Sequence, residues 1–77
     1  MRELVEFIAK SLVENKDAVE VSIEEEGRNK VLNVRVDDSE IGKLIGKQGK
    51  IANSIRTLLR AASSDEERFV LNIGNLN

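Results

Sequence analysis

Cysteine is absent from the 77 residues, so neither disulfides nor thiolate metal sites are open to this chain. Histidine is absent too, which removes the commonest general base and the commonest metal ligand. No Ser-His-Asp or Cys-His arrangement can be assembled, and the sequence points to no enzyme. Aromatic side chains are confined to two phenylalanines, with no Trp or Tyr. No apolar run approaches the roughly 18 residues of a membrane span, and Glu3 and Glu6 near the start do not suit a signal peptide. A cytoplasmic protein is the expectation, with no membrane contact, cofactor, metal or small-molecule substrate. A chain this short is expected to form one domain, 1–77, burying only about 60% of its unfolded surface. Its thin core would benefit from oligomerisation.

What is there is unevenly spread. The net charge is −2, which does not suggest a polyanion binder. Residues 1–40, however, carry a net −5, residues 41–60 a net +5 without a single acid, and residues 61–77 a net −2. The basic groups of the middle segment are Lys43, Lys47, Lys50, Arg56 and Arg60. A local positive surface steers polyanions whatever the total charge.

The positive segment contains Ile41-Gly42-Lys43-Leu44-Ile45-Gly46-Lys47-Gln48-Gly49-Lys50-Ile51, with three of the five glycines. Amphipathic patterns flank it, so a short helix, a tight turn and a second helix are predicted. Gly46 and Gly49 permit a sharp turn and leave no Cβ to obstruct a second backbone. The N–H groups of Lys47 to Lys50, at the start of a following helix, would attract phosphate, and Lys47 and Lys50 would add charge. Other phosphate motifs fail. Gly49-Lys50 is followed by Ile51, and no glycine stands five residues before Gly49, so the P-loop is excluded. The spacing of Gly42, Gly46 and Gly49 does not fit the dinucleotide fingerprint.

Taken in order, residues 2–15 are predicted helical, with Leu4, Val5, Ile8 and Leu12 on one stripe, Ala9 beside it, and Phe7 at the core edge. Residues 19–26 and 30–36 read as a hairpin around Gly27-Arg28-Asn29, with Val19, Val21, Ile23, Leu32, Val34 and Val36 inward and Asn33 and Arg35 outward. Val31 is assigned to a sheet edge. Asp37 and Glu40 resemble a capping box opening a short helix over 39–45. Gly42 within it suggests close packing against a helix or a ligand. The helix over 49–62 would bury Ile51, Ile55, Leu58, Leu59 and Ala62. Residues 68–73 form a last strand, and 74–77 a frayed tail.

The order α-β-β-α-α-β, three helices on a three-stranded sheet, is an α+β fold. Gly46-Lys47-Gln48-Gly49, preceded by the apolar pair Leu44-Ile45, resembles the GXXG loop of a K-homology (KH) domain. End to end, the chain is similar to the small bacterial single-KH RNA-binding proteins of the KhpA type. The resemblance implies a single type II KH domain, with a mixed sheet and a loop that clamps about four nucleotides of backbone.

It also implies a non-catalytic binder of single-stranded RNA, with an RNA-chaperone role, that forms a homodimer or a heterodimer with a second KH-containing protein. RNA contact is expected from Lys43, Ile45, Gly46, Lys47, Gln48, Gly49, Lys50, Asn53 and Arg56. Bases would lie in a groove between the two helices and strand 30–36, with Ile45 and Ala52 as candidates for its floor, Asn53 or Arg56 for its rim, and no aromatic of its own. Two alternatives remain. One is a protein-interaction adaptor anchored by Phe7, Leu58, Ala61 or Ala62. The other is a binder of single-stranded DNA.

Overall fold

The computed structural model describes residues 1–76. Helix α1 spans Arg2–Leu12, strand β1 Glu20–Glu26, strand β2 Asn29–Val36, helix α2 Ile41–Ile45, helix α3 Lys50–Ala62 and strand β3 Arg68–Asn75. Short 3₁₀ turns occupy Lys16–Ala18, Asp38–Glu40 and Lys47–Gly49. The expected α-β-β-α-α-β order is present.

The sheet order is β1-β2-β3. β1 and β2 pair antiparallel around a two-residue turn, Gly27-Arg28, with Glu26 opposite Asn29. β3 returns parallel to β2, with Leu32 beside Leu71 and Val34 beside Ile73. A parallel neighbour needs a crossover connection, and α2 and α3 supply it. The sheet is therefore mixed. Val21, Leu32, Val34, Val36 and Leu71 meet Val5, Ala9, Leu44, Ile55 and Leu59 in one buried cluster on the helical side.

Several expectations need correction. α1 ends at Leu12 rather than Asn15, because Val13 turns extended and the next two amides leave the helix. The N–H groups of Glu14 and Asn15 donate to the Glu40 carboxylate, at 2.6 and 3.1 Å. Lys16 satisfies the carbonyls thus freed, donating to Lys10 O and Val13 O at 2.8 and 3.1 Å. Glu40 accordingly does not close a capping box with Asp37, which makes no side-chain cap.

Phe7 is 70% exposed and Leu58 54%, so neither is core. Leu4 and Ala62 are exposed as well. One layer of helices covers one sheet face, so each helix buries only its innermost stripe and its flanks meet water. Val31 lies on the central strand, not at an edge. Asn33 points away from the helices as expected, yet it is buried and accepts a 2.8 Å hydrogen bond from Asn72 Nδ2. Around Gly42 a Cβ would meet open space, so packing against a neighbouring helix does not explain it.

β3 continues to Asn75, where a tail was expected, because the parallel ladder persists to the Val36–Asn75 pair. Leu76 N–H still reaches Val36 O at 3.1 Å. The last residue of the expected tail, Asn77, lies outside the described residues.

Candidate nucleic-acid interface

α2 ends and the chain reverses within four residues. Gly46 sits at φ 76°, ψ 175°; Gln48 at φ 56°, ψ 26°; and Gly49 at φ 76°, ψ 12°. Three positive φ values in a row of four positions make the corner. Lys47 and Gln48 form its exposed tip, while Gly46 and Gly49 are half-buried. The corner therefore faces solvent.

The two glycines are there for different reasons. A Cβ on Gly46 would stand 2.6 Å from Ile51 Cγ1 and 3.0 Å from Ile51 Cβ. Gly46 thus makes room for the protein's own Ile51, and no ligand is needed to explain its missing side chain. At Gly49 the nearest atom to a Cβ would be Asn53 Nδ2 at 3.6 Å, an ordinary contact. Its bare face is open.

The expectation that four successive amides point outward also needs correction. The Gly49 N–H donates to Gly46 O at 3.1 Å, and the Lys50 N–H is bonded to Lys47 O. These two donors are consumed within the turn.

Lys43 is drawn away from the corner. Its ammonium donates to Glu40 Oε1 at 3.2 Å and lies 3.6 Å from Glu14 Oε1. The hydrogen bond to Glu40, opposed by desolvation, holds the Lys43 pKa above its ordinary value. Glu40 itself is only 6% exposed. The hydrogen bond from the Glu14 amide, opposed by desolvation and aided by Asn15 and Lys43, lowers its pKa. The positive segment that is free of acid in sequence is thus not free of acid in space.

Along α3, Gly49, Asn53, Arg56 and Arg60 recur at helical spacing and form one stripe leading away from the turn. All but Gly49 are exposed, and Arg56 donates to Asn53 Oδ1 at 3.3 Å. Lys50 is also exposed in the first turn of α3, and Ile45 is 39% exposed at the end of α2. Ala52 is buried, so it is not an open groove floor.

Strand 30–36, expected to wall the groove, is β2. That strand is central, with hydrogen-bonding partners on both sides. β3, like β1, is an edge strand, and α3 packs against β3. Between the C-terminal half of α3 and the start of β3 lies a cavity of about 440 Å³ bordered by Arg56, Arg60, Arg68, Phe69 and Asp65. Phe69, half-buried, brings an aromatic ring to this cavity. Nothing in the sequence places Arg68 and Phe69 beside α3, because only the parallel return of β3 brings them there.

Ser63 and Ser64 hold the intervening loop. Ser63 Oγ accepts from Phe69 N–H at 3.0 Å and donates to Leu59 O at 2.8 Å. Ser64 Oγ accepts from the amides of Glu66 and Glu67. Among the described residues no helix is long and apolar enough to cross a membrane.

Comparison with known proteins gives consistent results. A family model described as "KhpA/KhpB, KH domain" matches residues 2–73. The "RNA-binding protein KhpA" of Caldanaerobacter subterraneus subsp. tengcongensis is 46% identical over 71 residues, covering 92% of this chain and 95% of the relative. The protein of the same name from Borreliella burgdorferi is 46% identical over 68 residues, covering 88% and 83%. That from Aquifex aeolicus is 49% identical over 61 residues, covering 79% and 77%. No solved structure is a significant match.

Proposed function

Because the chain belongs to the KhpA/KhpB KH-domain family, we propose that it is a non-catalytic cytoplasmic protein, one domain over 1–77, that holds short single-stranded RNA. The observation that carries this reading is the solvent-facing corner at Gly46–Gly49, from which an exposed polar and cationic stripe departs. The name that the relatives carry supports it.

The amides of Lys47 and Gln48 at the tip donate to phosphate oxygens. Lys47 and Lys50 supply charge, and the bare face of Gly49 admits the sugar–phosphate chain. Such contacts position a strand without reading its sequence. Ile45 offers apolar surface to a base beside the turn, and Asn53 and Arg56 line the path beyond. Lys43 acts through its ion pairs with Glu40 and Glu14, steadying α2 below the corner. A chaperone role follows if the hold on RNA is weak and short.

The test is substitution of Lys47 and Gln48 by Asp. RNA binding is lost while the circular dichroism spectrum and Tm stay unchanged. Retained binding would remove the corner from the mechanism, and a DNA oligomer of equal sequence would report on the preference for RNA.

A second reading rests on the exposure of Phe7, Leu58, Ala61 and Ala62. These side chains suit a docking surface for a second copy or for another KH-containing protein. Sedimentation of L58E against the parent chain tests it: an unchanged mass at all concentrations would exclude Leu58 as an anchor.

A further inference from the structure

We propose that Glu14 restrains the affinity of this chain for RNA. In the free protein its carboxylate neighbours the Lys43 ammonium, and on binding a phosphate of the strand takes that place while Glu40 keeps its hold. The inference deepens the reading of the turn given above and rests on it.

The two carboxylates around Lys43 are not equivalent. Glu40 is 6% exposed and, besides Lys43 at 3.2 Å, accepts the amides of Glu14 and Asn15. Moving it would strand a buried charge and free two backbone donors, so it stays. Glu14, in the connection between α1 and β1, has a side chain 90% exposed and lies 3.6 Å from the Lys43 ammonium. That separation is an ion pair beyond hydrogen-bond reach. Among the described residues Lys43 is the one cation within 4.0 Å of Glu14. An exposed pair of this kind is weak, whereas a phosphate accepts a charge-assisted hydrogen bond. An ammonium has three N–H donors, enough to keep Glu40 and serve a phosphate together.

Lys43 lies within reach of a strand held at the corner. Gly46 stands three residues beyond Lys43 and four beyond Gly42, so the three share one side of α2. A Cβ at Gly42 would meet nothing within 4 Å, so the helix surface beside Lys43 is open. Gly46 is about 4.5 Å further along the axis, at roughly 1.5 Å per residue. A stacked strand advances roughly 3.4 Å per nucleotide, so a phosphate one or two places from the tip comes level with Lys43.

The exchange separates two roles that one residue number conceals. The backbone amide of Glu14 is structural, because it anchors the end of α1 to Glu40. Its side chain competes with the ligand. Glutamine at this position keeps the amide and removes the competition.

The experiment is a double-mutant cycle, E14Q and K43Q alone and together, with D17N as control. Binding of an oligouridylate of about eight nucleotides is measured at about 50 mM salt, where exposed charges are weakly screened. Thermal melts confirm that each variant folds. With Lys43 present, E14Q tightens binding by about two- to fivefold, as the loss of one exposed ion pair allows. In the K43Q background the same substitution changes binding by less than about 1.5-fold. Asp17 is exposed in the same connection, and D17N removes an equal charge without touching Lys43. It too stays within about 1.5-fold. The log–log salt slope of E14Q exceeds that of the parent by up to about 0.7, because no freed carboxylate takes a cation back.

Tightening by the same factor with and without Lys43, no tightening in either, or an equal gain in D17N would overturn the exchange. The reading of the turn fails separately, if K47D/Q48D binds this RNA as the parent does. In that case a surviving coupling between positions 14 and 43 would still place the strand at Lys43.

Discussion

Two glycines of one tetrapeptide should differ sharply when each is replaced by alanine. At Gly46 the backbone stands at φ 76°, ψ 175°, a region nearly reserved for glycine, where other residues lose about 1–3 kcal/mol. The new methyl group would also sit 2.6 Å from Ile51 Cγ1 and 3.0 Å from Ile51 Cβ. The first atom can rotate away, but the second is fixed to the helix, so α3 itself must shift. Overpacking of this kind costs about 1–3 kcal/mol.

The two effects together reach about 2–6 kcal/mol, against a total stability of about 4–12 kcal/mol at this length. Gly49 lies in the ordinary left-handed well at φ 76°, ψ 12°, with only a 3.6 Å contact for its new Cβ. There the loss is about 1 kcal/mol. At about 4–8 °C per kcal/mol, G46A should melt on the order of 10 °C or more below G49A. Thermal and urea denaturation followed by circular dichroism read this directly. Equal destabilisation of the two variants would refute the assignment of Gly46 to Ile51 packing.

Other consequences are simpler to state. Leu32 is fully buried on the central strand, and L32A should lose about 2–5 kcal/mol, whereas F7A should change stability by less than about 0.5 kcal/mol; urea midpoints decide both. Glu40 has a folded pKa below its ordinary value of 4.5 because of the Glu14 amide. Its contribution is therefore present above the unfolded pKa and is lost as pH falls through the folded one. The Tm of E40Q should approach that of the parent in acid and fall below it at neutral pH, and parallel Tm–pH curves would exclude the effect. S63A removes the acceptor for the Phe69 amide and should cost about 1 kcal/mol, measurable by the same melts.

Much of the fold is legible in one sequence because it rests on periodicity. Alternation at Val19–Ile23 and Leu32–Val36 gives the hairpin, and Ile55 with Leu59 gives the inner face of α3. The corner is legible from the spacing of Gly46 and Gly49. What is not legible depends on partners distant in sequence. Glu40 looks like a cap for its own helix and instead holds amides 25 and 26 residues away. Arg68 looks like the start of a strand and becomes a wall of the cavity. Phe7 and Leu58 look like core on hydropathy alone, but nothing among the described residues is there to cover them.

The sheet has two unpaired rims, at β1 and β3. A free rim is a template on which foreign strands can zip, and proteins blunt it with charge. The run Glu24-Glu25-Glu26 guards the first. The second carries Arg68 at its start and no other charged side chain over its length. That rim is the less guarded of the two, and a charge introduced on it, as in V70K, should delay fibrillar aggregation of the heated protein more than one added to β1.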